Sequence, residues 1–279
     1  MSPAAITFAS IADHGLAASA EVLTSGFKGY FVPIVFTSSS LLGMVRCDSV
    51  DATLSCVALA DGEPVGAALV ARRGWTARVA AMGIVAAARR RGVARAIMGH
   101  VLGAAKARGD RAVELEVIDQ NTPAIALYED LGFKPLRRLV GYEGGVTVNA
   151  TAAPPLEPMD IVELARLVTV HGLDDLPWQL SGPTLAQQGS PNVALRCGPS
   201  AVLVSDPSAP TITIRALVSE RAARQRGHAL ALLDALFARH PDKQWRVNPL
   251  WPEETARIFG KVGLVPTALR QWHMRAGVT

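Results

Sequence analysis

One six-residue pattern occurs twice, and it constrains this chain more than any other feature. Arg89-Arg90-Arg91-Gly92-Val93-Ala94 returns as Arg224-Gln225-Arg226-Gly227-His228-Ala229, so both copies fit Arg-x-x-Gly-x-Ala. Each copy follows an apolar, strand-like run, Arg78 to Val85 and Thr211 to Val218. Each then opens a helix. Val93, Ile97, Val101 and Ala105 recur every fourth residue and give one apolar face, with Gly109 as the stop; Leu230, Leu233 and Phe237 do the same before Pro241. Downstream, Val113, Leu115 and Val117 alternate with polar residues as a strand requires, and a helical stretch ends in Leu131-Gly132-Phe133. The second copy offers Trp245 to Asn248, then a helical stretch ending in Val262-Gly263-Leu264. Strand, glycine turn, helix, strand, helix predicts an α/β sheet. Its duplication predicts two copies of one domain, 1–148 and 159–279, joined by a linker at 149–158 where Ala, Thr and Pro cluster without periodicity.

Composition agrees with two folded domains. The 279 residues are 49% hydrophobic and 19% charged, enough apolar material for two cores. No apolar run approaches the roughly 20 residues that cross a bilayer, and the first 20 residues lack the basic flank of a signal peptide. No membrane association is therefore expected, and a cytoplasmic location is the expectation. Cys47, Cys56 and Cys197 are scattered and odd in number, without Cys/His spacing, so neither a disulfide framework nor a metal site is expected. The net charge of +4 is spread along the chain rather than gathered with aromatics, which argues against a nucleic-acid partner and suits an enzyme that binds a polyanion.

The glycine turn supplies the reason. Where a strand hands over to a helix, unpaired N–H groups and the helix dipole create an anion site. Gly92 lets the backbone come close to a ligand, Ala94 keeps the helix start narrow, and Arg90, Arg91 and Arg95 add charge suited to a pyrophosphate.

Taken together, three segments closely resemble the GNAT superfamily of N-acetyltransferases: Met82 to Ala94, Leu115-Glu116-Val117, and Asn121 to Phe133 with its Tyr128 and Leu131-Gly132-Phe133 ending. Turn, strand and helix stand in the family's order and spacing, well over Ile6 to Arg138 and weakly over Asp160 to Arg275. The resemblance implies two tandem GNAT-like domains, each a mixed twisted sheet flanked by helices, and acetyl-CoA as cosubstrate. It implies that Arg90, Arg91, Gly92, Val93, Ala94 and Arg95 form the loop holding the coenzyme A pyrophosphate. By the same resemblance Met82, Gly83 and Ile84 form the splayed strand that pairs with the pantetheine arm, and Asn121 contacts that arm. Ala86 stands where many members have proline.

Amine acetylation needs a neutral amine, a polarised thioester and a proton for the departing thiolate. Tyr128 matches the family's general acid, and a phenol can donate that proton; as a plain residue it could equally be a core tyrosine sharing a face with Leu127 and Leu131. Glu116 is the candidate base. It shares the polar face of its strand with Glu114, and the ribosomal-protein alanine acetyltransferases of the superfamily carry their base at that position. The competing account is a carboxylate paired with an arginine such as Arg111, and many GNAT enzymes use an ordered water instead. Phe27, Tyr30, Phe31 and Pro33 lie where such enzymes build the acceptor wall. The six histidines sit in no catalytic spacing, and Ser38-Ser39-Ser40 resembles a helix cap.

The second copy has lost this chemistry. Aligned on the helix-terminal glycine, Phe259 falls opposite Tyr128, Pro252 opposite Asn121 and Val247 opposite Glu116. A non-catalytic partner for the first domain is expected, taking the place of a second subunit, so that the chain works as a monomer. The expected function is acetyl transfer from acetyl-CoA to a primary amine on a small molecule or peptide. The rival is a non-catalytic acetyl-CoA-binding regulatory module.

Overall fold

The computed structural model describes residues 6–146 and 154–278, so the part of the expected linker from 149 to 153 lies outside the described residues. The chain forms two compact units. One runs through Leu136 and is completed by the segment from His273 onward; the other runs from Arg137 to Trp272.

The first unit contains β1 (Ile6–Ser10), α1 (Ile11–His14), α2 (Leu16–Gly26), α3 (Ser38–Asp48), β2 (Val50–Ala60), β3 (Glu63–Arg73), β4 (Thr76–Ile84), α4 (Val93–Ala107), β5 (Ala112–Ile118) and α5 (Thr122–Asp130). β6 (Lys134–Gly145) leads into the second unit. There follow β7 (Glu157–Met159), α6 (Ile161–His171), α7 (Gly182–Leu185), β8 (Val193–Cys197), β9 (Ser200–Val204), β10 (Thr211–Ser219), α8 (His228–Arg239), β11 (Gln244–Pro252), α9 (Glu253–Lys261) and β12 (Val265–Gly277).

Each unit builds its sheet the same way. In the first, β1 to β4 are antiparallel neighbours in chain order and β4 runs parallel to β5, with the end of β12 beyond β5. In the second, β8, β9 and β10 are antiparallel, β10 runs parallel to β11, and β6 lies beyond β11. Helices pack by the faces read from the sequence: Val93, Ile97, Val101 and Ala105 of α4 are all buried, as are Leu233 and Phe237 of α8. Gly109 has a φ of +76° just past α4, where a side chain would be strained. The serine run opens α3, with Thr37 as its cap and Ser40 closing a capping box.

The units do not divide at the joint expected from the repeat. Residues 139–145 hydrogen-bond to β11 and so go with the second unit, while His273 and the residues after it go with the first. The repeat ends before the strand that finishes each sheet, and the pattern of Arg-x-x-Gly-x-Ala carries no information on where that strand pairs.

Candidate active site

The cleft begins at a bulge. β3 and β4 are in register on both sides of Ala80, but Leu69 faces Ala81 and Val70 faces Val79, leaving Ala80 without a partner. An extra residue bends a strand, and β4 parts from β5 at this level: the parallel pairing covers Thr76 to Val79 against Ala112 to Leu115. Beyond it, Met82, Gly83 and Ile84 pair only with β3, so one edge of the strand is left without strand pairing in the described register. The α2 terminus lies across this segment, because a Cβ on Gly26 would come within 2.6 to 2.7 Å of the Gly83 backbone and 2.8 Å of the Ile84 nitrogen.

β4 runs into a 3₁₀ turn, Ala86–Ala88, and then into the glycine turn. Arg89 ties the region together: its Nη2 donates to the carbonyls of Gly26 and Lys28, and its Nε to that of Ile84. Arg90 has a φ of +61° and Gly92 of +84°. A positive φ costs a non-glycine residue energy that the surroundings must supply, and left-handed residues in a turn aim successive N–H groups into a common hollow. Gly92 is the N-cap of α4 without a capping side chain, and a Cβ there would meet nothing within 4 Å. The hollow is open, carries free N–H groups, and is flanked by the exposed Arg90 and Arg91, so it suits an anion. Arg95 is instead drawn to Asp130 at 2.8 Å, on the exposed side.

Tyr128 is buried within α5, its ring 5.8 Å from that of Phe133. Burial, with the Tyr30 phenol nearby, holds its pKa well above the ordinary tyrosine value. Tyr30 is raised too by burial, opposed by a hydrogen bond to the Asn121 side chain. The fold thus gathers Tyr30, Asn121 and Tyr128, and Tyr30 brings the loop of Phe27 and Phe31 with it, at ring separations of 5.0 and 5.2 Å.

Glu116 has a partner that the sequence did not suggest. The Arg78 guanidinium holds its carboxylate by Nε at 2.9 Å and Nη2 at 2.6 Å, and both side chains are about 95% buried (4% and 5% exposed). Arg111 lies over the Trp75 ring instead. On the same face Glu114 meets His273 Nε2 at 3.3 Å and Arg275 at 3.5 Å. Arg78 was legible only as the first residue of a strand-like run. His273 lies 159 positions from Glu114, too far for any local pattern to pair them. Arg89 did carry a signal, since its counterpart Arg224 recurs in the repeat.

The second unit repeats this construction, with β10 and its turn 135 positions after β4 and its turn, and the paired part of β11 132 positions after that of β5. Arg215 is the bulged residue, as Ala80 is. The parallel pairing covers Thr211 to Ile214 against Gln244 to Val247. Gln225 and Gly227 have φ of +62° and +82°. Arg224 donates to the His171 carbonyl at the end of α6, as Arg89 does at the end of α2. The pairing also corrects the alignment of the base. Ile214 faces Val247 as Val79 faces Leu115, so Val247 corresponds to Leu115 and Asn248 to Glu116. The glycine-based alignment slipped because the turn from strand to helix is one residue shorter in the second copy. The helix alignment stands: Phe259 is buried in α9 as Tyr128 is in α5, and Pro252 is the N-cap of α9 as Asn121 is of α5.

Residues 24–133 match the family model described as Acetyltransferase (GNAT) family. That match lies wholly within the first unit. Among curated proteins no match was found. Solved structures of the GNAT group share the fold over nearly the whole chain. A GCN5-related N-acetyltransferase from Sphaerobacter thermophilus is 16% identical, with 98% of this chain and 96% of that one covered and a TM-score of 0.68. A tandem GNAT protein from the clavulanic acid biosynthesis pathway is 16% identical, with 99% of each chain covered and a TM-score of 0.64. A GCN5-related N-acetyltransferase from Anabaena variabilis is 14% identical, with 99% of this chain and 73% of that one covered and a TM-score of 0.67. At such identities the likeness concerns the fold. Two tandem units with the GNAT fold are the architecture. No helix among the described residues is long and apolar enough to cross a membrane.

Proposed function

We propose that the first unit transfers an acetyl group from acetyl-CoA to a primary amine on a small molecule or peptide. The observation that carries this reading is the meeting, in one GNAT domain, of a strand that parts from its neighbour at Val79, an open glycine turn, and a buried phenol. When bound, acetyl-CoA supplies an acyl group activated as a thioester. Val93, Ala94 and the turn from Arg90 to Gly92 would hold its pyrophosphate through main-chain N–H groups, with the Arg90 and Arg91 charges beside them. Met82, Gly83 and Ile84 would offer the pantetheine arm the strand edge that β5 leaves open. Arg95, held by Asp130, adds only to the general field.

Tyr128 keeps its proton over the whole working range of pH, because its pKa is raised by burial and by Tyr30. It thus holds a proton that a departing thiolate can take. Asn121, hydrogen-bonded to Tyr30, closes the α2–α3 loop over this point and orients the wall the acceptor meets. Glu116 has its oxygens occupied by Arg78, so in this scheme the amine proton leaves to water and Glu116 positions Arg78 and the strand. The working form is a monomer, and the compartment the cytoplasm.

A screen of amines with acetyl-CoA, read by thiol release, tests the proposal. Tyr128→Phe should lower turnover about 10²–10⁴-fold with acetyl-CoA affinity nearly unchanged. Release with no amine class, or full turnover in the variant, would leave the non-catalytic acetyl-CoA-binding module as the better account.

A further inference from the structure

The outer face of α2 carries a groove that the acetyl-transfer scheme does not use. Glu21, Thr24, Ser25 and Lys28 stand at helical spacing along one side, and residues 33–36 form the other, around a cavity of about 610 Å³. The opposite face of the helix, with Val22 and Leu23, is buried, and its Gly26 end packs on β4. Residues 31–37 have the pattern of a strand without a partner. Their exposure alternates residue by residue, the period of an extended chain, and leaves Phe31 47% and Val35 71% exposed. Val32, Ile34, Val35 and Phe36 are residue types that favour strands. Yet none of the seven residues belongs to a strand of the sheet.

One side chain already imitates a neighbouring strand. Thr24 Oγ1 accepts from the Phe36 N–H at 2.9 Å and donates to the Phe36 carbonyl at 3.2 Å, meeting both groups as a paired strand residue does. In an extended chain alternate residues present N–H and C=O on one edge, so Ile34 turns the same pair toward the groove. Neither Ile34 nor Val35 makes a backbone hydrogen bond among the described residues. Glu21 and Lys28, seven positions and so about 10 Å apart at the helical rise, mark the two ends with opposite charge. Neither has an ion-pair partner among the described residues.

We infer that this groove docks an extended segment of a partner protein, which adds to Ile34 as a strand and sets a basic side chain on Glu21 and an acidic one on Lys28. A purely apolar ligand would cover the Ile34 N–H and C=O without meeting them, at a cost that a peptide backbone avoids. Main-chain bonds then give affinity, and the end charges give direction. The inference does not rest on acetyl transfer.

The test uses the full chain without acetyl-CoA and a fluorescent nonapeptide, N-acetylated so that it offers no terminal amine. The peptide is polythreonine with valine at its centre, lysine two places before it and aspartate two places after. Those charges share one face and lie about 13 Å apart in a strand, within side-chain reach of Glu21 and Lys28. Anisotropy titration should show one saturable site. Methylating the valine nitrogen removes the donor to Ile34 and should weaken binding at least about tenfold. A second peptide, with lysine and aspartate exchanged, should differ in affinity from the first by about threefold or more, the reach of two exposed ion pairs. The double variant Glu21→Lys, Lys28→Glu changes only exposed side chains, so it should melt like the parent and invert that preference. The inference is overturned if neither peptide binds, if methylation has no effect, or if the parent and the double variant share one preference.

Discussion

Replacing Glu116 by Gln separates a base from a structural carboxylate. The Arg78–Glu116 pair is closed from water and doubly hydrogen-bonded. Removing one partner of such a pair leaves a buried charge without compensation, at about 3–5 kcal/mol. Domains have only about 5–15 kcal/mol in total, and a unit of this size loses roughly 2–4 °C of melting temperature per kcal/mol. Glu116→Gln should therefore lower the melting temperature of the first unit by about 6–20 °C. Arg78→Met should do the same. The double variant Arg78→Met, Glu116→Leu should recover most of the loss, because a well-packed apolar pair is often as stable as the ion pair it replaces. Denaturant unfolding of the parent, Arg78→Met, Glu116→Leu and the double variant gives the coupling directly. Pre-steady-state turnover below the melting range, measured across pH, completes the assay. If Glu116→Gln melts like the parent and loses rate mainly at low pH, the carboxylate is the base and the structural reasoning fails.

Three further outcomes follow from the same geometry. Gly92→Asp should abolish acetyl-CoA binding by calorimetry, since it puts bulk and negative charge into the open turn, whereas Gly227→Asp should leave acetyl-CoA affinity nearly unchanged. Gly26→Ala should cost about 1–3 kcal/mol in denaturant unfolding, because its methyl would lie 2.6 Å from the Gly83 backbone and α2 would have to lift off β4. The Cys56 thiol is pushed up to about 11 by burial, so at pH 8 its thiolate fraction is about 100-fold below that of an ordinary thiol, and alkylation of the native chain should spare it while the unfolded chain reacts.

The sequence showed the parts of the site that are local and repeated. The helix faces, the glycine turn and the α5 phenol all follow from spacing within one element, and the structure puts them where spacing says. Long-range pairings were not legible. Glu116 could be seen to need a partner, but Arg78 and Arg111 are equally good arginines until β4 and β5 are laid in register. The slip of Val247 against Glu116 has the same origin, because a loop one residue shorter is invisible when only the flanking motifs are aligned. Losing a tyrosine, an asparagine and a glutamate from the second copy removes chemistry, while the backbone that makes the turn depends on Gly227 and its neighbours, and these were kept.

The strand that finishes each unit sets a schedule for making the protein. A ribosome delivers the first unit's helices and β1 to β5 early, yet the strand beyond β5 is made only after the whole of the second unit. Until then β5 presents an open edge, the kind of surface on which nascent chains stick to one another. β6 meanwhile emerges long before β11, its partner, and must wait for it. Domain-by-domain folding during synthesis, the usual course for a chain of two units, is thus closed to this one. Synthesis of the segment from His273 onward becomes the event that completes the older half, and a chain cut before His273 would leave that half unfinished.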